Sequence, residues 1–227
     1  MALYDKYVLI TGADGPAGFQ LAEAFAAEGA RLALTTRDVG HAMALEPHIA
    51  HWLIPPLILP CDLHYEEDII RTVHRTLRRF GRIDSIIHAA SATVPSVPLM
   101  DHPVDPWRSA LAVHVTAPFL LSREAMPWMI RQKSGSVIHL IDQAPEGPLR
   151  AARAAIIELT RQLAAEVRGT GVLVNCLDQD GRGGGGRMDG VVVEAALWLA
   201  SRESGDRSGQ CIRAPELVRS RMTPRPS

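Results

Sequence analysis

The sequence predicts a single α/β domain, a doubly wound parallel sheet of about seven strands with helices on both faces. Three observations carry that expectation. Short β-branched runs alternate with longer stretches of helical periodicity, which is the pattern of βαβ units. The first of those runs leads directly into a glycine-rich turn that opens a helix. The chain has 227 residues, 47% of them hydrophobic, enough to bury one sizeable core.

In chain order, Tyr7–Thr11 reads as the first strand and Pro16–Glu28 as the first helix. Pro16 suits a first helical turn, where its missing N–H would have no partner anyway, and Gly29 stops the helix. Arg31–Thr35 is the second strand, and Trp52–Pro60 contains the third. Glu66–Phe80 has helical spacing, with Ile69, Ile70, Val73 and Leu77 on one side. Ile83–Ala89 is the fourth strand. Pro106 opens a long helix to about Arg131, with Pro118 and Pro127 near bends or its end. Then come the strand Ser136–Ile141, the helix Leu149–Arg168 and the strand Val172–Cys176. A helix over Val191–Ser201 and a short strand, Gln210–Arg213, complete the domain, which spans residues 1–214. Residues 181–187 read as a glycine-rich flexible connector and 215–227, with three prolines, as a frayed tail.

Composition excludes several classes of function. A formal net charge of −1 leaves no footprint for nucleic acid or for an anionic membrane. No apolar run reaches the roughly 18 residues a spanning helix needs. Cys61, Cys176 and Cys211 are widely spaced and form no CxxC pair, so they read as small residues in a reducing compartment. Without a signal-type apolar region at the N-terminus, the expected location is the cytoplasm.

The turn Thr11-Gly-Ala-Asp-Gly-Pro-Ala-Gly18 lets a phosphate approach backbone N–H groups and a helix N-terminus. With its continuation Phe19-Gln-Leu-Ala-Glu-Ala-Phe-Ala-Ala-Glu-Gly-Ala30, it closely resembles the first helix of short-chain dehydrogenases/reductases. The resemblance continues in order to about residue 213. Cys61-Asp62-Leu63 resembles the family's adenine-contacting segment, Gly81-Arg-Ile-Asp84 precedes the fourth strand as in the family, and Val172-Leu-Val-Asn175 is similar to its sixth strand. The resemblance implies a Rossmann fold, with Gly12, Gly15, Gly18, Arg37, Asp62, Leu63, Ala89 and Ala90 at a dinucleotide. Thr36-Arg37 lacks the acidic residue that holds a ribose 2′-OH, and Arg37 resembles the family's Arg for a 2′-phosphate, which implies NADP(H) before NAD. An ordinary solvated loop arginine is the other reading. Pro16 in place of a glycine, and Ser91 where the family has the last glycine of NNAG, count against tight binding, so a chain that binds neither dinucleotide stays open.

At the catalytic positions the chain departs from the family. The Tyr that gives a proton corresponds to Leu149, and the Lys that lowers its pKa and holds the ribose corresponds to Arg153. The substrate-orienting Ser corresponds to Asp142 and the helix Asn to His114. No tyrosine follows Tyr65 and no lysine follows Lys133, so a YxxxK motif exists nowhere in the chain. Leucine cannot donate a proton, and arginine is too basic to relay one.

Two readings of the substituted site follow. Asp142 and His114 could serve as an acid–base pair, or Asp142 and Arg153 could fill the vacated space as an ion pair. His88, His139 and His114 lie near element ends without metal-ligand spacing, and read as core or edge histidines. The expected function is a family homologue that binds NADP(H) or a small ligand without standard hydride transfer, as a sensor, partner subunit or scaffold. The alternative is an oxidoreductase or other enzyme using Asp142, His114 or Arg153. The resemblance also implies a homo-oligomer, dimer or tetramer, or a heteromer with an active relative, pairing through the helices at 106–131 and 149–168.

Overall fold

A computed structural model of the chain describes residues 3–141, 147–179, 188–201, 205 and 207–222. Seven parallel strands form one sheet in the order β3-β2-β1-β4-β5-β6-β7. They are β1 (Tyr7–Thr11), β2 (Arg31–Thr36), β3 (Leu57–Pro60), β4 (Ser85–His88), β5 (Gly135–Ile141), β6 (Val172–Asp178) and β7 (Cys211–Arg213). Between them lie α1 (Pro16–Ala27), α2 (Val39–Ile49), α3 (Glu66–Phe80), α4 (Val104–Leu111), α5 (Ala117–Gln132), α6 (Gly147–Glu166), α7 (Gly190–Ala200) and α8 (Ala214–Met222). No helix among the described residues is long and apolar enough to cross a membrane.

Successive side chains of a strand point to opposite faces, so a strand buried on both sides reads as a near-continuous apolar run. Val8, Ile10, Leu34, Ile87, Ile138 and Leu177 pack on one face with Leu21 and Phe25 of α1 and Ala195 and Leu199 of α7. Leu9, Ala33, Leu59, Ile86, Val137 and Val174 pack on the other with Ile69 and Val73 of α3 and Leu121 and Met129 of α5. Each fully buried Val, Leu, Ile, Phe or Met side chain among these contributes about 1.5–3 kcal/mol relative to exposure.

Three segments differ from expectation. The helix α2, between β2 and β3, has only a weak amphipathic pattern and carries Pro47, so periodicity does not announce it; Asp38 caps it by accepting the His41 N–H at 2.9 Å. The helix expected over 106–131 begins at Val104 and passes through a π-helical segment, Ala112–Thr116, before α5. Of residues 215–227, expected as a frayed tail, those as far as Met222 belong to α8, and 223–227 lie outside the described residues. Pro215 sits in the first turn of α8, where no N–H is required, and Ala214 and Leu217 are buried in the core. The glycine-rich connector at 181–187 lies outside the described residues.

Candidate functional site

The strand order reverses between β1 and β4, and the carboxyl ends of the strands there open into a crevice. Threonines build its floor. The Thr11 hydroxyl accepts the Ala89 N–H at 3.2 Å and the Ala90 N–H at 3.4 Å, and Thr35 accepts the Gly12 N–H at 3.2 Å. These bonds draw the β1–α1 turn against the segment after β4. Gly12 has φ +68°, and a Cβ there would sit 2.5 Å from Ala90 Cα, so only glycine fits. A Cβ on Gly18 would collide with the Gly12 carbonyl.

Above that floor is a cavity of about 520 Å3. Gly12, Gly15, Arg37, Asp62, Leu63, Ala89 and Ala90 all line it, as does Pro16. Gly18 is buried behind the turn and packs on Gly12 instead. Arg37 is exposed at the end of β2, and its N–H is held by Asp14 Oδ2 at 3.2 Å. Gly15 is the N-cap of α1 and Pro16 its first residue. The missing proline donor is therefore one that the helix would have left free for a ligand.

Sequence reasoning passed over several lining residues, among them Asp14, His41, His64 and Ser109. Asp62 Oδ1 lies 2.7 Å from His64 Nδ1, and His64 Nε2 lies 2.8 Å from Ser109 Oγ. The Asp-x-His spacing before a helix could have signalled the first contact. Nothing local signals the second, since Ser109 is 45 residues further on in α4.

Three of the four positions expected to correspond to the family's catalytic residues lie among the described residues. His114 is in the π-helical segment, and its Nε2 accepts the Ala92 N–H at 3.1 Å; burial pushes its pKa down to about 4. Leu149 is half-buried in the first turn of α6. One turn on, Arg153 makes a 2.5 Å ion pair with Asp178 of β6, whose side chain is 3% exposed. Asp142 lies outside the described residues, and with it the expected Asp142–His114 and Asp142–Arg153 contacts.

His88 and His139 are register partners on β4 and β5, and their rings stack with centroids 4.8 Å apart at 14°. His88 Nε2 and both ring nitrogens of His139 are buried without a hydrogen-bond partner. Burial holds His88 well below the ordinary histidine value, helped by its neighbour's charge, and pushes His139 down to about 3. Among the described residues no three His, Cys, Asp or Glu side chains converge as a metal site.

The family model for short chain dehydrogenases matches residues 6–179. An L-fucose dehydrogenase of Oryctolagus cuniculus is 29% identical over 178 residues, covering 76% of this chain and 61% of that protein. Zerumbone synthase of Zingiber zerumbet is 27% identical over 190 residues, covering 78% and 68%. The chain thus spans less than two thirds of the length of the rabbit enzyme. Among solved structures, a metagenomic short-chain oxidoreductase in complex with NADP superimposes with TM-score 0.82 at 25% identity, covering 94% of this chain and 99% of that one. A Pseudomonas syringae protein described as a short chain dehydrogenase gives TM-score 0.85 at 24% identity, covering 94% and 96%.

Proposed function

The chain belongs to the short chain dehydrogenase family, and from that premise we propose that it binds NADP(H) in the crevice without performing the family's usual hydride transfer. The observation that carries this reading is an asymmetry. The phosphate turn and adenosine-side residues are assembled around the cavity, while the proton-donor position is Leu149 and the lysine position is an arginine bound to Asp178.

The residues present fit a dinucleotide. The turn, packed closely on Ala90 through Gly12, leads into the N-terminus of α1 at the cavity, and the cavity volume is within the range of small-molecule sites. The α1 N-terminus would hold the diphosphate, Asp62 the adenine, and Arg37 a 2′-phosphate with its fixed charge. NADP(H), when bound, supplies a hydride equivalent. The chain supplies no proton at Leu149, and the Arg153 guanidinium, anchored to Asp178, is a fixed charge and no relay. His114 is no ready substitute, because its Nε2 is committed to the Ala92 N–H. The protein is then a cofactor-responsive subunit or sensor, and we expect it to pair through α5 and α6.

Titration with NADPH and NADH, followed by cofactor fluorescence, tests the reading. NADPH should bind more tightly than NADH, and Arg37→Ala should remove most of that preference, about 10-fold or more for a lost charge-assisted contact. A carbonyl panel should give no NADPH oxidation above the protein-free rate. Absence of binding by either dinucleotide at millimolar concentration would overturn the proposal, as would steady turnover.

A further inference from the structure

We propose that Ser109, His64 and Asp62 form a nucleophile–base–carboxylate set at the cavity wall that hydrolyses small carboxylic esters, an activity beyond the dinucleotide reading that shares its cavity and Asp62 and is open when no dinucleotide is bound. The geometry is a continuous chain. Ser109 Oγ is 2.8 Å from His64 Nε2, and His64 Nδ1 is 2.7 Å from Asp62 Oδ1. Both distances lie within the reach that defines an activated nucleophile with an oriented base.

The donor pattern sets the tautomer of neutral His64. An ionised carboxylate only accepts, so Nδ1–H donates to Asp62, which leaves Nε2 as the acceptor for the Ser109 hydroxyl. That is the state a general base requires. Asp62 is itself fixed. Its Oδ1 also accepts the His64 backbone N–H at 3.0 Å, and its own N–H donates to Asp68 Oδ2 at 3.1 Å. Burial pushes the Asp62 carboxyl up, but hydrogen bonds from the His64 N–H groups and the Arg37 charge outweigh it, and the group stays below its ordinary value. The set joins two elements, since Ser109 is in the last turn of α4 while Asp62 and His64 precede α3.

All three residues line the cavity, as do Arg37, Ser91 and Thr93, which carry hydrogen-bond donors. Leu63, Ala92 and Val113 add apolar wall, which suits a short acyl chain. In the reaction, Ser109 Oγ bonds to the carbonyl carbon while His64 Nε2 takes the hydroxyl proton. The C–O bond to the alcohol then breaks, and the alcohol leaves with that proton. A water molecule attacks the acyl carbon, giving its proton to His64; the acid departs as Ser109 Oγ regains the proton. No oxidant or cofactor takes part.

The test is labelling of the intact protein with a fluorophosphonate, mapped by peptide mass spectrometry, beside hydrolysis of p-nitrophenyl acetate. Ser109 should label about 100-fold faster in the folded than in the urea-unfolded protein, the scale of general-base assistance. Asp62→Asn, which removes the carboxylate that orients the imidazole, should lower the rate. His64→Gln should reduce labelling to the unfolded level, and Ser109→Ala should remove both labelling and ester turnover, with circular dichroism unchanged. Should a variant fail to fold, Ser109→Cys supplies a second reading, because its alkylation by iodoacetamide should be accelerated over that of the unfolded variant. Labelling of Ser109 no faster than in the unfolded protein, or a rate unaffected by His64→Gln, would overturn the proposal. Neither readout uses a dinucleotide, so failure of NADPH to bind leaves this result standing.

Discussion

Protonating His88 or His139 would place charge on a ring buried in the sheet, where burial already holds both below the ordinary histidine value. Three of their ring nitrogens have no partner to stabilise an added proton. In the unfolded chain the same rings titrate near pH 6.5. Below that pH the unfolded chain binds more protons than the fold, so stability is fully present above about 6.5 and is lost as the pH falls toward His139's folded value of about 3. The slope approaches about 1.4 kcal/mol per pH unit for each histidine kept neutral. Urea unfolding at pH 7, 6 and 5 should show a steadily falling midpoint. The double variant His88→Phe/His139→Phe, which keeps two stacked rings without the titration, should flatten that dependence, leaving the part due to His114. An unchanged slope would show that the buried pair is not its source.

At the scale of elements, the Arg153–Asp178 pair ties α6 to β6 at the carboxyl edge of the sheet. Removing the cation leaves a carboxylate that is 3% exposed without this partner. A fully buried pair broken in this way costs about 3–5 kcal/mol; with Arg153 27% exposed, Arg153→Ala should cost roughly 2–3 kcal/mol, read as a lower urea midpoint. Arg153→Ala/Asp178→Asn should recover part of that loss, since it removes both charges. An arginine at the position expected for the family's lysine is legible in the sequence, but its partner is not. Asp178 follows the residues read as the sixth strand, and the β5–β6 register, running to Ile141↔Asp178, makes it the last residue of β6. Strands were legible where apolar runs are bounded by turn residues, as at Tyr7–Thr11. The helix α2 was not, because its start rests on the Asp38 cap and its interior holds a proline. The phosphate turn was legible as a contiguous motif. The Ser109–His64 contact was hidden, because it depends on how α4 lies over the β3–α3 turn.

For the whole molecule, α5 carries exposed apolar side chains around its solvent-facing half. Phe119, Trp128 and Ile130 remain 39%, 42% and 39% exposed, and arginines cover them only in part: Arg123 lies 5.8 Å from the Phe119 ring centroid and Arg131 4.3 Å from that of Trp128. Aromatic and arginine side chains of this kind are enriched at interface cores. The outward side of α6 carries exposed Ala154 and half-buried Ala151 and Ala155, small enough for a second helix to approach closely. A two-fold pairing of α5 and α6 would bury both surfaces at once, and a stable interface of this type removes roughly 1,200–2,000 Å2 from water. Sedimentation equilibrium at micromolar concentration should therefore give a mass of twice 24.7 kDa or a higher even multiple. Phe119→Glu/Trp128→Glu puts like charges on both sides of a two-fold contact and should shift the equilibrium to the single chain while leaving circular dichroism unchanged. A wild-type chain that sediments as one copy would refute the pairing. A dimer indifferent to both substitutions would move it to another surface. Because neither Phe119 nor Trp128 lines the cavity, the monomeric variant should still bind NADPH, which separates assembly from cofactor recognition.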